Sequence, residues 1–276
     1  MHSLSAPSAG IAVHDLGGSG PIVLYAHATG FHARCWQPVA DRLPRHHNIA
    51  YDARGHGDTP SDPQWSADWE TYGADAAAVV TTVQHDGPVL GVGHSMGGAA
   101  LLMAAIADPT LFRGLIVYEP VVMPSDIQPE VGGGNFLAIG ARKRRSSFAS
   151  YEDAIANFSS KPPLNVFDQE CMDAYVRGGF AAGSDGQVHL KCRPEHEART
   201  YEAGGNHRTW DRLGELRLPV WVLCGLPQPL QPSSRTAALA EQIPGARYIE
   251  LDHLGHFGPM QAPTEIAEII ASFPIE

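Results

Sequence analysis

A serine flanked by glycines, Ser95, is the side chain of this sequence best suited to covalent chemistry. Residues 91–98 read GVGHSMGG and contain a G-x-S-x-G pattern, which follows the apolar run 88–90 and precedes the helix-forming run 99–107. A strand, a sharp turn and a helix in this order lift a serine hydroxyl off the sheet and place it at the positive end of the helix. The pattern therefore predicts a nucleophilic serine.

A serine needs a base, and His256 is the histidine we favour for that role. Serine is a poor nucleophile at neutral pH unless a neighbouring imidazole takes its proton. Residues 251–258 read LDHLGHFG, and His256 follows a glycine in a predicted loop between a strand and the last helix. His253 stands nearer the end of the strand, and we expect it to be structural or to line the pocket.

The acid that orients such a base is missing from its common position after the strand 220–224. Residues 216–240 contain no Asp or Glu, and Gln228 stands where an aspartate would be expected. Glu119 ends the strand 115–118, beside the strand that leads to the serine, and catalytic groups gather at this edge of open α/β sheets. We therefore predict Glu119 as the acid, since the chain order of serine, acid and histidine also fits.

Two other carboxylates remain open as the acid, and one of them also has a structural interpretation. Asp252 lies at the end of a predicted strand, close to the candidate base. Asp52 precedes a turn that contains Arg54, and we expect this pair to hold the turn together.

An oxyanion hole requires two backbone N–H groups near the serine. The first predicted donor is the N–H of Met96, directly after the nucleophile. The second should come from the loop after the strand 22–26, where Thr29 is the first choice and Ala28 the second. His27, in the same loop, is expected to brace the loop or to line the pocket.

The elements that position these residues alternate between short apolar runs and longer helical patterns. This alternation predicts βα units on a largely parallel sheet. The glycine-rich residues 17–20 predict an antiparallel hairpin between the first two strands, and Pro263 suits the first position of the last helix. The predicted strands are 11–16, 22–26, 48–52, 89–93, 115–118, 220–224 and 247–251, and the predicted helices of the core are 69–84, 99–107, 234–242 and 264–272.

Between the strands 115–118 and 220–224 the pattern becomes mainly helical. We predict helices at 135–148, 151–158 and 168–180 and no buried strand, so residues 121–209 form an inserted cap on a core of 1–120 and 210–276. Most aromatic residues of the cap should pack among themselves, but some must face the sheet edge. The predicted pocket residues are His27, Phe31, His94, Met123, Phe136, Phe148 and Tyr175.

Composition and charge restrict the class of protein. Of the 276 residues, 43% are hydrophobic and 18% charged, and the net charge of −11 disfavours nucleic acid or an anionic membrane as a partner. We expect a cytoplasmic monomer or homodimer without a secretory signal, a membrane span or a metal site. The basic run 142–145, RKRR, is either a solvated helix face or an anion-binding patch of the cap.

Four motifs give the chain a resemblance to the α/β-hydrolase superfamily over nearly its whole length. They are HxxG at 27–30, DxRGHG at 52–57, GHSMGG at 93–98 and GHF at 255–257. The resemblance implies a mostly parallel eight-stranded sheet with helices on both faces and a cap inserted after the sixth strand. It also implies precedent for Glu119, since some lactone hydrolases and haloalkane dehalogenases place the acid at the end of that strand.

These observations predict a cofactor-free serine hydrolase that acts on a carboxylic ester or lactone with an apolar body. Ser95 would attack the carbonyl carbon, His256 would take the proton, and Glu119 would orient the imidazole. C–C bond hydrolysis or acyl transfer on the same triad is an alternative. So is a ligand-binding or receptor protein that has lost turnover, which the glutamine at 228 favours. The aspartate nucleophile of dehalogenases and epoxide hydrolases is disfavoured by the serine.

Overall fold

The structure is a computed structural model that describes residues 3–5, 10–60, 62–84, 87–124 and 134–274. Its strands are β1 (Ser3–Ser5), β2 (Ala12–Gly17), β3 (Ile22–Ala26), β4 (His47–Tyr51), β5 (Val89–His94), β6 (Phe112–Tyr118), β7 (Ser147–Phe148), β8 (Phe180–Ala182), β9 (Val188–Leu190), β10 (Val220–Gly225) and β11 (Arg247–Leu251).

The helices lie between these strands and on both sides of the sheet. They are α1 (Gln37–Ala40), α2 (Trp69–Val83), α3 (Met96–Ala107), α4 (Phe136–Arg142), α5 (Tyr151–Ser159), α6 (Gln169–Gly179), α7 (Pro194–Ala203), α8 (Thr209–Arg212), α9 (Ser233–Gln242), α10 (Gly258–Gln261) and α11 (Pro263–Ala271).

Eight strands form one sheet in the order β1-β2-β4-β3-β5-β6-β10-β11. The six strands from β4 to β11 in this order run parallel, and β1 and β2 join one edge in antiparallel pairing. This arrangement brings the carboxyl ends of β5, β6 and β10 side by side. The predicted eight-stranded, mostly parallel sheet is confirmed.

The predicted hairpin of the first two strands is wrong, because β4 lies between β2 and β3. The glycine-rich linker crosses the segment that enters β4 instead of turning back on itself. A Cβ atom at Gly18 would lie 2.0 Å from the carbonyl oxygen of His46, and one at Gly20 would lie 2.4 Å from that of Arg45. The glycines therefore permit a close crossing of two backbones, which their sequence pattern alone does not distinguish from a hairpin turn.

Helices cover both faces of the sheet because alternate residues of the buried strands point to opposite sides. In β3, Leu24 packs in the apolar cluster that contains α2 and α3. Val23 and Tyr25 pack in a second cluster with α1, α11 and part of the segment between β6 and β10. This two-sided burial explains why the strands read as continuous apolar runs.

Several helices begin at a side chain that caps their first turn. Asp68 accepts a hydrogen bond from the N–H of Glu70 at the start of α2, and Ser150 accepts one from the N–H of Asp153 in α5. Such caps satisfy N–H groups that have no partner within the helix. Pro263 takes the first position of α11, as the sequence predicts.

The segment between β6 and β10 contains α4 to α8 and a small antiparallel sheet in the order β7-β9-β8. No strand is predicted here, because strands of two or three residues are too short to show a period of two. The helix predicted at 135–148 ends at Arg142, and β7 follows. Residues 125–133 of the predicted cap lie outside the described residues, and the cap boundaries stay a prediction.

Within the described ranges, no helix is both long and apolar enough to cross a membrane.

Candidate active site

Ser95 lies in a strained turn between β5 and α3. Its φ of +54° and ψ of −114° are rare for a residue with a side chain, and such strain is typical of functional positions. Its N–H donates to the carbonyl of Tyr118 at 2.9 Å, which ties the turn to the end of β6. A Cβ atom at Gly97 would lie 2.3 Å from the carbonyl oxygen of Ala26, so the turn also packs directly against the end of β3.

Glu119 and His256 meet beside this turn. The imidazole Nδ1 of His256 lies 2.6 Å from Oε2 of Glu119, while Oε1 accepts a hydrogen bond of 2.8 Å from the N–H of Gly225. The glutamate is fully buried, and its φ of +43° places it in a second strained position. A carboxylate only accepts, so Nδ1 of His256 must carry the proton, and its Nε2 is left with a free lone pair.

Ser95 and His256 are linked through the residue that precedes the serine. His94 donates from Nε2 to the carbonyl of His256 at 2.7 Å, and the two rings are 5.0 Å apart. Among the described residues, no hydrogen bond joins Oγ of Ser95 to His256. Such bonds are often long or poorly aligned until the reacting complex forms, so the roles of Ser95 and His256 as nucleophile and base stay a prediction.

The loop that carries His256 is fixed by side chains from three directions. The Tyr118 hydroxyl donates to the carbonyl of Gly255 at 2.7 Å, and the N–H of Gly255 donates to Oε1 of Gln261 at 2.9 Å. Burial, together with the nearby His256, holds the pKa of His94 well below its usual range. His94 therefore stays neutral and keeps its role as donor to the carbonyl of His256.

Thr29 and Met96, the predicted oxyanion donors, lie next to each other. The Thr29 hydroxyl is 3.5 Å from the sulfur of Met96. In the described part of the chain, neither backbone N–H of these two residues has a protein acceptor. The carbonyl of Ala28, the second choice, accepts hydrogen bonds from Nδ1 of His27 and from the N–H of Phe31, which fixes the loop. The choice between Thr29 and Ala28 as the second donor stays a prediction.

Asp52, an alternative acid, holds a different loop. Its carboxylate accepts hydrogen bonds from Nε2 of His14 and from the N–H groups of Ala33 and Asp58. Burial raises the pKa of Asp52, but the hydrogen bond and charge of His14 outweigh burial and hold that pKa well below its usual range. The expected pairing of Asp52 with Arg54 is wrong.

Arg54 instead forms a two-pronged ion pair with Asp75 of α2, at 2.6 and 2.8 Å. Asp252, the other alternative acid, has a side chain that is 81% exposed and lies 3.7 Å from His253 rather than beside His256. Gln228 is also exposed; its N–H donates to the hydroxyl of Ser233, and its carbonyl accepts from the N–H of Gln231. Glu119 is thus the carboxylate that the structure brings to His256.

His14, Asp52 and Asp58 form a group whose potential metal-ligand atoms lie within 4.8 Å of one another. The oxygens of Asp52 already accept three N–H hydrogen bonds, which a metal ion would have to displace. The donors around this carboxylate therefore suit loop bracing better than metal ligation.

An aromatic wall stands between the cap segment and the candidate triad. Neighbouring rings of this wall have centroids 5.2 to 6.5 Å apart. The ring of His256 adjoins the wall, with its centroid 5.5 Å from that of Phe257. These distances are typical of packed aromatic pairs. The aromatic wall consists of Phe31, His94, Phe167, Tyr175 and Phe257.

Three predicted pocket residues, Phe31, His94 and Tyr175, belong to this wall, and the other four lie elsewhere. Phe136 is 62% exposed, so it does not belong to the wall. Phe148 is fully buried inside the cap, 5.6 and 5.7 Å from the rings of Phe158 and Phe180. Because neither side chain reaches the aromatic wall, their assignment to the pocket is corrected.

His27 and Met123, the other two predicted pocket residues, also lie outside the aromatic wall. The ring of His27 lies behind the loop, where Nε2 accepts a hydrogen bond from the N–H of Ala53 and Nδ1 binds its neighbour's carbonyl. Met123 is half-buried and lines a small crevice with Pro232 and Leu239. His27 is thus a bracing residue, as one of the two sequence interpretations has it.

Two members of the aromatic wall, Phe167 and Phe257, are absent from the predicted pocket. Phe257 directly follows His256, so its place beside the triad is readable from the sequence once the base is chosen. Phe167 belongs to the short helical turn before α6, and nothing in its local sequence separates it from the aromatics that pack inside the cap.

Comparisons with known proteins add a family relationship. A sequence model described as "Alpha/beta hydrolase family" matches residues 23–269. Lipase LipV of Mycobacterium tuberculosis is 39% identical over 113 residues, which cover 40% of this chain and 41% of the lipase. Monoglyceride lipase of Rattus norvegicus is 33% identical over 107 residues, covering 37% of this chain and 35% of the lipase. These matches span about two fifths or less of the relatives' own length.

Solved structures resemble the whole chain more completely. E-2-(acetamidomethylene)succinate hydrolase superposes with a TM-score of 0.80 and 19% identity, over 99% of this chain and 97% of that one. The enol-lactonase from Burkholderia xenovorans has a TM-score of 0.67 and 20% identity, over 95% and 96%. At such low identity the likeness shows the shared fold.

Proposed function

The chain belongs to the alpha/beta hydrolase family, and on this premise we propose that it is a cofactor-free serine hydrolase that cleaves a carboxylic ester or lactone with an apolar body. Ser95 is the proposed nucleophile, His256 the base and Glu119 the acid. The hydrogen bond of 2.6 Å between His256 and Glu119, beside the strained serine turn, is the observation that carries the proposal.

The reaction proposed for this site has two halves. In the first, Oγ of Ser95 attacks the carbonyl carbon while Nε2 of His256 takes its proton and then delivers that proton to the leaving alcohol. In the second, water attacks the acyl-enzyme while the same histidine takes a proton from it and then returns that proton to Oγ of Ser95, and the acid product leaves. Glu119 keeps the imidazole in the tautomer that each half needs.

The proposed reaction develops a negative charge on the substrate oxygen. The backbone N–H groups of Met96 and Thr29, which have no protein acceptor among the described residues, are proposed to bind this oxyanion. A donor of this kind typically contributes about 2.7–4 kcal/mol to transition-state stabilisation. The start of α3 adds its positive end to the same place.

The class of substrate is proposed from the aromatic wall and from the names of the relatives. An apolar wall suits the acyl or alkyl body of an ester, and binding proteins commonly line such sites with aromatic side chains. Relatives named lipase, and structural neighbours named esterase and enol-lactonase, support ester or lactone cleavage.

A panel of esters and lactones of graded size, assayed with the intact chain and with Ser95→Ala, tests this proposal. We expect turnover of some members and its loss in the variant, since removing the nucleophile of a complete triad costs on the order of 10⁶ in kcat. If Ser95→Ala keeps more than a few per cent of activity in a preparation free of other esterases, the serine mechanism is wrong.

A further inference from the structure

Three residues of the basic run at 142–145 face outward, whereas Arg144 does not. The Arg142 guanidinium binds Glu195 and Glu202, and its side chain is 38% exposed. Lys143 is exposed, and Arg145 stacks over the ring of Phe148 at 4.2 Å. These three residues fit the interpretation of the run as a solvated face.

Arg144 turns into the protein instead, and only 14% of its side chain is exposed. It forms an ion pair of 2.7 Å with Glu197 of α7, whose side chain is 7% exposed. It also donates from Nη2 to the hydroxyl of Tyr175. Its guanidinium lies over the rings of Phe158 and Tyr175, at 5.6 and 5.7 Å from their centroids.

This ion pair lies against the proposed oxyanion loop. A Cβ atom at Gly30 would be 3.4 Å from Nη1 of Arg144 and 2.5 Å from Oε1 of Glu197. Gly30 directly follows Thr29, one of the proposed oxyanion donors. The ring of Tyr175 is 5.2 Å from that of Phe31 in the aromatic wall. The guanidinium of Arg144, paired with the carboxylate of Glu197, therefore lies at the edge of the pocket proposed for the substrate.

Some of the hydrogen-bond donors of Arg144 and Tyr175 at this edge have no acceptor among the described residues. A guanidinium carries five N–H groups in a rigid plane. Arg144 gives one to Glu197 and one to Tyr175, and within the described residues its others have no protein acceptor. The Tyr175 hydroxyl accepts from Arg144, so its own proton is available to a second acceptor. Together they offer a planar set of donors that matches a carboxylate.

We propose that Arg144 and the hydroxyl of Tyr175 form an anion subsite, so that the preferred ester or lactone carries a carboxylate remote from its scissile carbonyl. The inference rests on the proposed ester hydrolysis and adds its substrate class. Glu197 offsets the cost of burying the guanidinium when no substrate is bound. The same negative charge competes with the substrate carboxylate.

Two chromogenic esters with one leaving group measure this preference. Mono(para-nitrophenyl) adipate ends in a carboxylate, and methyl para-nitrophenyl adipate ends in a neutral methyl ester. The ratio of kcat/KM for the anionic ester to that for the neutral ester cancels general losses of folding or chemistry. It is measured for the unmodified chain, Arg144→Gln, Glu197→Gln, the double variant and the matched surface control Arg142→Gln.

The proposal predicts opposite signs for the two single variants. Arg144→Gln lowers the ratio by about 10- to 100-fold, the value of a hydrogen bond to a charged group. Glu197→Gln raises the ratio, because the competing charge is gone while Arg144 stays. The double variant stays about 10-fold or more below the unmodified chain, and Arg142→Gln leaves the ratio unchanged.

A ratio in the double variant equal to that of the unmodified chain would overturn the subsite, because Arg144→Gln alone also exposes the substrate to the charge of Glu197. Parallel losses on both esters in both single variants would overturn it as well, and would make the ion pair a structural strut. Failure of the hydrolysis proposal is distinguishable, since neither ester would then be turned over by the unmodified chain.

Discussion

Glu119 occupies a position that few residues with side chains adopt, and the hydrogen bonds around it explain why. Its φ of +43° directs the carboxylate between the N–H of Gly225 and the imidazole of His256. In chains with the acid after β10, that strand supplies the carboxylate; here it supplies the N–H of Gly225 and, at 4.0 Å, the thiol of Cys224 as donors to Glu119. The strain is therefore the cost of bringing an acid from β6 across the neighbouring strand end.

Replacing Glu119 by Gln should lower kcat by about 10²–10⁴, because the amide keeps the shape but loses the charge that stabilises the imidazolium. Steady-state kinetics on a good ester substrate provide the measurement. Asp252→Asn is the matched control, since that carboxylate is 81% exposed and should not affect kcat. Near-normal kcat in Glu119→Gln would show that the glutamate is structural.

His94 should act through His256 rather than on the substrate. His94→Leu removes the donor to the carbonyl of His256, and we expect kcat to fall by about 2- to 10-fold, the value of one neutral hydrogen bond, with little change in KM. His94→Gln keeps an amide N–H of similar reach and should recover part of the loss. A rise in KM without a fall in kcat would instead make His94 a substrate contact.

At the residue scale, the sequence is sufficient for Ser95, His256 and Glu119 as candidates, because chemistry restricts which types can serve and strand order restricts where. It is insufficient for the pocket. Phe136 and Tyr175 read alike as aromatic residues of helical segments, yet Phe136 is 62% exposed and Tyr175 is buried. The rotation of each helix about its own axis decides this, and that rotation follows from packing between distant segments.

Among the elements, the turn between β5 and α3 has little tolerance for added atoms. Gly97→Ala would place a methyl group 2.3 Å from the carbonyl oxygen of Ala26, so backbone must move. We expect a destabilisation of about 1–3 kcal/mol, as for other overpacked sites, and a loss of activity because the serine turn shifts. Thermal unfolding and kcat on one ester measure the two effects.

Gly140→Ala in α4 is the matched control, since it is also a helical glycine but has no atom within 4 Å of the added Cβ. It should be neutral or stabilising by up to about 1 kcal/mol, the difference in helix propensity. Equal stability and activity for both variants would contradict the tight packing of the turn against β3.

The elements that the sequence predicts well are long and periodic. The wrong predictions concern very short strands and the place where two backbone segments cross. The helix predicted at 69–84 ends one residue earlier in the structure, and the helix predicted at 264–272 is shifted by one residue at both ends. The hairpin fails because Gly18 and Gly20 serve a crossing over the residues before β4. That crossing pairs segments about thirty residues apart, and no local pattern encodes it.

On the scale of the whole molecule, buried neutral histidines make stability depend on pH. Their folded-state pKa values are depressed, chiefly by burial, to about 4 for His207 and about 3 for His32. An unfolded histidine titrates near pH 6.5. Below that pH the unfolded chain takes up protons that the folded chain refuses, so folding weakens as pH falls. The buried histidines with depressed pKa values are His27, His32, His46, His56, His94, His196 and His207.

The free energy of unfolding should therefore be nearly constant above pH 7 and fall steadily from about pH 6.5 towards pH 4. Each such histidine contributes a slope of up to about 1.4 kcal/mol per pH unit in this window. Urea titrations at several pH values measure it. Below pH 4 the depressed pKa of Asp52 adds a further loss of stability as the pH falls. Stability that is flat or rises between pH 7 and pH 5 would contradict this account.

The central claim, a serine nucleophile activated by His256 and Glu119, is tested most directly by mass spectrometry after reaction with a fluorophosphonate. The account predicts one stoichiometric adduct, located on Ser95, with no adduct in Ser95→Ala and much slower labelling in His256→Ala and Glu119→Gln. An unlabelled native protein, an adduct on another residue, or labelling that is indifferent to His256 would contradict it.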